Sequence, residues 1–359
     1  MQIALMSLGD IMDDPVTGRR FDAAERYAMT LDAAEIADRT GIQGYYIGEH
    51  HGISYAFSSP AVVLAAIAER TKRLRLGTAV ALAANLDPLR MVEDYATVDV
   101  ISGGRLELVT GRGNFFEKTF DLFGQSAAQS AERFAEAMEL AVKLWAGDPV
   151  HWEGQFRPPI TGQKLQPTPI QRDRLPFWIG GGSSPETAKL AGRLGVNLML
   201  PSAFGRPDKF VPIADLYREA FAEAGHKHQS QVGACWHGWV AKTDKLARER
   251  YEPRYRGYHA FNLAVIKSVN ANPPPYVSAP FDYELLSTKG PAIVGGPNKF
   301  ADRLIELSRL VGADVNLIKM DMGGVGRDEY LEMVELLGNE VVPQVNAAAM
   351  ARPKLAATA

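Results

Sequence analysis

A chain of 359 residues, 46% of them hydrophobic and 23% charged, with a net charge of −3, is typical of a globular protein that buries a large core. Nucleic-acid-binding proteins usually carry a basic excess on one face, so this balance argues against a nucleic-acid partner. The start has no basic leader, no window approaches the roughly 18 apolar residues that span a bilayer, and the single cysteine, Cys235, excludes an internal disulfide. We therefore expect a cytoplasmic protein that neither binds nucleic acid nor inserts into a membrane.

Short β-rich runs recur along the chain and predict eight strands. They lie at about 2–8, 44–48, 74–80, 105–110, 176–181, 196–200, 232–240 and 314–320. Helical segments separate nearly all of them, and three begin with a capping side chain before a proline, at 59–60, 87–88 and 184–185. Alternating strands and helices imply parallel pairing, so the sequence predicts an α/β fold with a closed TIM-type (β/α)8 barrel; an open doubly wound sheet is the alternative.

Two stretches exceed a minimal barrel, at about 147–175 and 267–291. Neither has a long polar linker beside it, which favours insertions over domain boundaries. We therefore expect one domain over residues 1–359.

Three ionisable residues, Glu49, His50 and His51, directly follow the second predicted strand. Active-site residues of TIM barrels lie at this end of the strands. The three side chains either cap a loop, or bind a metal, or provide one histidine for proton transfer. Successive extended residues point to opposite sides, which disfavours a metal shared by the two histidines. A near-neutral pKa suits a histidine to acid/base work.

Glycine-rich ends of the fourth and fifth strands predict an anion site. Arg112 lies between two glycines, where a ligand can approach its guanidinium closely. After the fifth strand, glycines 180–182 lead into a helix start with two serines, and helix N-termini bind anions. A phosphate is thus favoured over a merely capped helix.

Several of these segments together resemble the bacterial luciferase-like flavin monooxygenase family in content, order and spacing. The shared segments are 48–51 (GEHH), 74–80 (LRLGTAV), 88–90 (PLR), 103–105 (GGR), 111–113 (GRG), 122–124 (LFG), 181–187 (GGSSPET) and 293–297 (IVGGP). The resemblance covers most of the chain. It implies a TIM barrel that binds reduced FMN across its strand ends, with the phosphate near strands four and five.

The resemblance assigns roles to individual residues. His50 matches the histidine of proton transfer, and the Ala79-Val80 bond matches a non-proline cis peptide under the flavin ring. The residues that it places around the cofactor are Glu49, Ala79, Val80, Gly111, Arg112, Arg133, Gly182, Ser183, Ser184 and Thr187. Light-emitting luciferases carry a cysteine at the position of Gly111, so bioluminescence is not expected.

The implied function is a two-component monooxygenase. It takes reduced FMN from a separate flavin reductase, uses O2 to oxidise a small organic substrate, and acts as a homodimer. A deazaflavin-dependent oxidoreductase of the same superfamily and a non-catalytic flavin-binding barrel are the alternatives. Aromatic residues near the barrel mouth, Tyr55, Phe57, Phe115 and Phe116, are expected either to shape an apolar substrate pocket or to be plain packing.

Overall fold

The computed structural model describes residues 1–181, 184–270 and 281–350, which form twelve strands and twelve α-helices. The strands are β1 (Gln2–Ser7), β2 (Gly44–Ile47), β3 (Arg75–Thr78), β4 (Ala81–Leu82), β5 (Leu106–Gly111), β6 (Val150–Trp152), β7 (Ile160–Gln163), β8 (Phe177–Gly180), β9 (Asn197–Leu200), β10 (Val232–Val240), β11 (Ala292–Gly295) and β12 (Val315–Lys319). The helices are α1 (Ala23–Thr40), α2 (Pro60–Arg70), α3 (Pro88–Ser102), α4 (Lys118–Leu122), α5 (Ser130–Trp145), α6 (Pro185–Leu194), α7 (Val211–Glu223), α8 (Asp244–Val269), α9 (Tyr283–Thr288), α10 (Pro297–Val311), α11 (Arg327–Leu336) and α12 (Val342–Met350).

Eight of the strands close into a parallel barrel, in the order β1, β2, β3, β5, β8, β9, β10 and β12. The last strand returns to the first through pairs such as Gln2↔Val315 and Met6↔Lys319. Each of the eight predicted strands is one barrel strand, so the TIM-type barrel is confirmed and the open sheet is excluded. Closure also places the first barrel strand, β1, beside the last one, β12.

Four strands were not predicted. Strand β4 is a two-residue extension that pairs with β5. Strand β10 has nine residues, and its last part leaves β12 and pairs with β11 from His237↔Ala292 to Val240↔Gly295. Strands β6 and β7 form an antiparallel hairpin inside the predicted insertion at 147–175. Such short pairings follow from neighbouring strand edges, which a local pattern does not reveal.

The second predicted insertion, at 267–291, begins in the last turn of α8 and contains α9. Its proline-rich centre, residues 271–280, lies outside the described residues. The assignment of the whole chain to one domain with two insertions stays a prediction.

The predicted helix starts are confirmed at α2, α3 and α6, each of which has proline at its first position. Asp87 accepts hydrogen bonds from the backbone N–H groups of Leu89 and Arg90, and Ser184 accepts one from Thr187. The cap expected at Ser59 is wrong in one respect, because its hydroxyl makes no capping hydrogen bond. Its ψ of 74° departs from the extended backbone of Asp87 and Ser184, which aims the side chain at the helix.

The barrel interior holds a small core of its own, distinct from the larger core between the barrel and its helices. It is formed by Ala4, Met6, Tyr46, Val109, Trp178, Met199, Val315 and Leu317. Because strand residues alternate in direction, the next inward position on each strand lies at the rim where the strand ends. Among the described helices, none has the length and apolar character needed to cross a membrane.

Candidate active site

A cavity of about 940 Å³ lies at the carboxyl ends of the barrel strands. Lining residues at or just past the ends of seven strands are Leu8, Glu49, Val80, Gly111, Gly180, Leu200 and Lys319. The cavity is thus at the face where TIM barrels place their active sites.

Of the three predicted site residues after β2, Glu49 and His50 line the cavity, and His51 packs against the surrounding protein. His50 is buried and lines the cavity, where its ring stacks on Tyr55 with 4.1 Å between centroids. His51 packs against Phe123 instead, and its Nε2 lies 2.8 Å from Oε1 of Glu49. The other carboxylate oxygen of Glu49 accepts a hydrogen bond from the backbone of Leu82. Glu49 therefore lines the cavity while both of its oxygens hold the loop, and His50 is the histidine that faces the cavity.

The environment of His50 differs from the one assumed from the sequence. Burial, together with the positive charge of Lys319 and the neighbouring His51, lowers the pKa of His50 to about 3. Its Nδ1 is buried and has no hydrogen-bond partner among the described residues. This low pKa favours an uncharged imidazole at neutral pH, which is a weak proton acceptor but can donate one N–H hydrogen bond.

The Ala79-Val80 peptide bond is cis, as predicted. The Val80 side chain lies between two glycines, because a Cβ on Gly111 would meet Val80 Cγ2 at 2.5 Å and one on Gly180 would meet Cγ1 at 2.7 Å. A Cβ on Gly48 would likewise meet Leu8 at 2.7 Å. We call Gly48, Val80, Gly111 and Gly180 the glycine wall. A cysteine at position 111 would not fit without moving Val80, which explains why this chain departs from the luciferases there.

Arg112 and the start of α6 line the same cavity. Among the described residues, no hydrogen-bond or ion-pair partner satisfies the Arg112 guanidinium. Ser184 and Thr187 line the cavity at the first turn of α6, where backbone N–H groups and the helix dipole favour an anion. Gly182 and Ser183, also predicted here, lie outside the described residues.

Two predicted residues lie elsewhere. Arg133 does not line the cavity; its guanidinium donates to the backbone oxygen of Ala84 and lies 5.2 Å from the ring centre of Phe156. Phe57 is fully buried and packs against Tyr27, so it belongs to the core. The assignment of Phe57 to the pocket is therefore wrong.

The other three predicted aromatics, Tyr55, Phe115 and Phe116, do line the cavity. Phe116 meets the His50 ring edge-on at 5.3 Å. Together with Phe204, these rings give the cavity an apolar surface.

A charged group that the sequence analysis missed lies beside the cavity. Lys319, at the end of β12, lines the cavity and its Nζ lies 2.7 Å from Asp10 and 2.8 Å from Asp321. Arg26 lies 3.3 Å from Asp321 and 3.5 Å from Asp10, and all four side chains are buried. We call Asp10, Arg26, Lys319 and Asp321 the ionic cluster.

The ionic cluster keeps its charges despite burial. Burial alone would lower the pKa of Lys319, but attraction to Asp10 and Asp321 outweighs it and raises that pKa. Burial would raise the pKa of Asp321, yet Lys319 and Arg26 hold it below its ordinary value. The sequence did contain a signal for Lys319, because it is an ionisable residue at the end of a predicted strand. The same signal led to Glu49 and His50.

His237 is the second residue that was missed. It lies within β10, directly opposite Lys319 in the strand register, and it lines the cavity. An isolated histidine inside an apolar strand gave no motif.

A flavin fits these residues on three grounds. Val80 and the glycines on either side of it present an uncharged surface to a flat group, the Arg112 guanidinium lacks a partner among the described residues, and α6 begins at the same cavity. Within the described part of the chain, no group of three or more His, Cys, Asp or Glu side chains is arranged to hold a metal ion.

Comparison with known proteins agrees with this geometry. The profile of the family described as luciferase-like monooxygenase matches residues 1–314. An uncharacterized protein of Sinorhizobium fredii, y4wF, is 28% identical over 326 residues, which are 90% of this chain and 93% of that protein. The oxygenase component of the flavin-dependent trigonelline monooxygenase of Acinetobacter baylyi is 30% identical over 226 residues, covering 62% of this chain and 61% of that protein.

Among solved structures, the monooxygenase RslO1 of Streptomyces bottropensis superposes with a TM-score of 0.81 at 25% identity, covering 96% of this chain and 99% of that one. The similarity extends over the entire barrel and its surrounding helices.

Proposed function

Because the chain belongs to the luciferase-like monooxygenase family, we propose that it is the oxygenase component of a two-component system. In this proposal it takes reduced FMN from a separate flavin reductase and oxidises a small organic substrate with O2. The observation that carries the proposal is the unpartnered Arg112 guanidinium, which lines one cavity with the start of α6, the cis peptide and His50. The relative named as an oxygenase component supports a separate reductase.

Each part of the cavity has a role in this proposal. Arg112, Ser184 and Thr187 hold the phosphate, and Gly182 and Ser183 are further phosphate ligands in this proposal because the family resemblance assigns them that role. Ala79, Val80 and Gly111 support the ring, and Glu49 fixes the loop that carries His50. The chemistry that the cofactor supplies is the transfer of electrons to O2.

The protein's own chemistry is to handle protons and exclude water. His50 is uncharged at neutral pH, so it can stabilise a developing negative charge by donating an N–H hydrogen bond. The aromatic lining around it keeps the reacting groups in an apolar environment.

We propose that the protein works as a homodimer in the cytoplasm. Exposed apolar side chains on the neighbouring helices α2 and α3, Val62, Val100 and Ile101, support a contact with a second copy. Light scattering in solution measures the mass of the particle and so distinguishes a dimer from a monomer.

The test of the proposed function is an anaerobic titration with photoreduced FMN, followed by oxygen uptake over a panel of aldehydes, ketones and aromatics. We expect saturable binding of reduced FMN and substrate-dependent consumption of O2. Tight binding of a reduced deazaflavin with no oxygen uptake would favour a deazaflavin-dependent oxidoreductase instead. Flavin binding without turnover of any substrate would favour a non-catalytic barrel.

A further inference from the structure

His237 occupies a rim position whose side chain points into the barrel. Cys235, two residues earlier, packs against the inner core, and His237 continues that inward side of β10. Only 3% of His237 is exposed, and its ring is flanked edge-on by Phe204 at 6.4 Å and by Tyr258 at 6.0 Å. The catalytic role proposed above uses His50 and leaves His237 without a function.

The hydrogen bonding of His237 determines its tautomer. Its Nδ1 lies 2.9 Å from the hydroxyl of Tyr255, which has no other hydrogen-bond partner among the described residues. A buried hydroxyl is satisfied only if its proton is donated, so Tyr255 donates and Nδ1 accepts. The ring proton then resides on Nε2.

This tautomer aims a donor at the cavity. Nε2 of His237 bonds to no described residue and is not sealed off by the protein, so it faces the cavity that the ring lines. Burial and the positive charge of Lys319 lower the pKa of His237 to about 3, which keeps the ring neutral. His237 is thus a fixed, uncharged N–H donor in a mainly apolar chamber.

The surroundings also limit the charge of what can bind. The ionic cluster behind His237 contains two acids and two bases and is balanced. A ligand that brought its own charge next to His237 would find the buried charges of the ionic cluster already paired with one another, so burying it there is costly. A neutral oxygen acceptor meets the donor at no such cost.

We propose that His237 Nε2 is the specificity-determining donor of the substrate site, and that it selects uncharged, otherwise apolar compounds carrying a carbonyl or hydroxyl oxygen. Tyr255 is the positioning residue that fixes the donor. This inference rests on the proposed function, since it names the substrate class of the same cavity.

Three probes of one shape test the substrate class: 2-acetylnaphthalene, 2-ethylnaphthalene and the anion 2-naphthoate. Anaerobic calorimetry with the wild-type protein saturated with reduced FMN, so that the Arg112 anion site is occupied, should show the ketone binding about 3- to 10-fold more tightly than the hydrocarbon, the range of one neutral hydrogen bond. The anion should bind more weakly than the ketone. Equal affinity for ketone and hydrocarbon, or tightest binding of the anion, would overturn the proposal without any variant being made.

Variants then locate the donor. His237→Phe should abolish the preference for the ketone, whereas His237→Gln, which keeps a neutral N–H donor, should retain part of it. Reduced FMN should bind to both variants within a few fold of wild type, so a failure here is distinguishable from a failure of the proposed function. A preference that persists in His237→Phe would rule out His237 as the donor.

The tautomer has a direct spectroscopic readout. The chain has seven histidines, so nitrogen-15 spectra of histidine-labelled wild type and His237→Gln identify the signals of His237 by difference. We expect the proton on Nε2 in wild type and a mixture of tautomers in Tyr255→Phe. A proton on Nδ1 in wild type would contradict the role given to Tyr255.

Discussion

The glycine wall and the ionic cluster lie at the ends of different strands around the same cavity. The first is defined by close packing, and the second by buried charge. The wall lies at or just past the ends of β2, β3, β5 and β8, where two glycines leave room for the Val80 side chain, so that an added Cβ on Gly111 or Gly180 would collide with it. The cluster draws on β12 and the segment after β1 and holds four buried charges, with His237 beside them. The glycine wall is shaped by steric contacts, and the ionic cluster holds charges and hydrogen bonds in place.

In the proposed function, the glycine wall belongs to the cofactor surface of the cavity, and the ionic cluster lies beside the substrate surface. Contacts within the glycine wall are steric, and those within the ionic cluster are electrostatic. A substitution in the glycine wall should therefore act mainly through packing, and one in the ionic cluster mainly through charge. Each prediction has its own measurement for this reason.

The largest expected effect is at His50, which follows a strand of the glycine wall yet lies in the field of Lys319. His50→Ala should reduce turnover by about 10²- to 10³-fold, the usual effect of removing one hydrogen-bond donor to developing charge, while reduced FMN binds within a few fold. His51→Ala is the matched control and should cost less, because His51 does not line the cavity. If His51→Ala were the inactive variant, the assignment within this pair would be reversed.

The next effect is on stability and concerns the ionic cluster. Lys319→Met leaves Asp10 and Asp321 with only Arg26, and breaking a buried ion group costs about 3–5 kcal/mol in the free energy of unfolding. Urea denaturation measures this. Adding Asp10→Asn restores the balance of charge and should recover part of the loss; unchanged stability of the single variant would contradict the assigned charges.

Arg112 tests the cofactor side. Arg112→Ala should weaken binding of reduced FMN by about 10- to 100-fold, since a hydrogen bond to a charged group contributes about 1.5–3 kcal/mol. Anaerobic titration gives the dissociation constants. Arg133→Ala, which removes an arginine that does not line the cavity, should have a smaller effect. Equal losses in the two variants would restore Arg133 as a cofactor ligand.

Gly111→Ala tests the steric nature of the glycine wall. The new Cβ would lie 2.5 Å from Val80 Cγ2, and overpacking of this kind costs about 1–3 kcal/mol. Thermal unfolding should show the loss. Gly326→Ala is the control, because its nearest neighbour would be Phe21 at 3.9 Å and its φ is −69°. Equal melting temperatures for the two variants would argue that Val80 yields freely.

The smallest effect is a pH dependence of stability. The pKa values of His50 and His237 are lowered to about 3 in the folded chain, while an unfolded histidine titrates near 6.5. Below about pH 6.5 the unfolded chain therefore binds protons that the folded chain does not, and stability falls as the pH is lowered towards 3. Each histidine should cost about 1 kcal/mol between pH 6.5 and 5.5.

A series of melting curves over that range, with His237→Gln beside wild type, checks this expectation. The variant should lose less stability than wild type on acidification. Parallel curves would show that His237 is not held neutral by its burial.

The sequence predicted the barrel well because each strand and helix start has a local signal. Ser184-Pro185 and Asp87-Pro88 fix helix starts through chemistry within a few residues, and the alternation of strands and helices indicates parallel pairing, although it left the open sheet as an alternative to the closed barrel. The cis bond at Ala79-Val80 was predicted from family resemblance, not from local physics.

The substrate side could not be predicted in the same way. Asp10, Arg26 and Asp321 surround Lys319 only because β12 pairs with β1, and no local pattern records that pairing. The tautomer of His237 depends on Tyr255, which lies on a different element. The pKa of His50 was misjudged for the same reason, since its main cause is burial by distant residues.

The pairing of β1 with β12 also affects the order in which parts of the protein can fold during translation. The glycine wall and Asp10 precede Lys319 in the chain, so Asp10 is synthesised long before the lysine whose Nζ lies 2.7 Å from it. Vectorial folding can assemble the early strands, but contacts between the first and last strands form late because their separation along the chain is large. Because Lys319 lines the cavity, the pocket gains its full lining only when β12 has paired with β1.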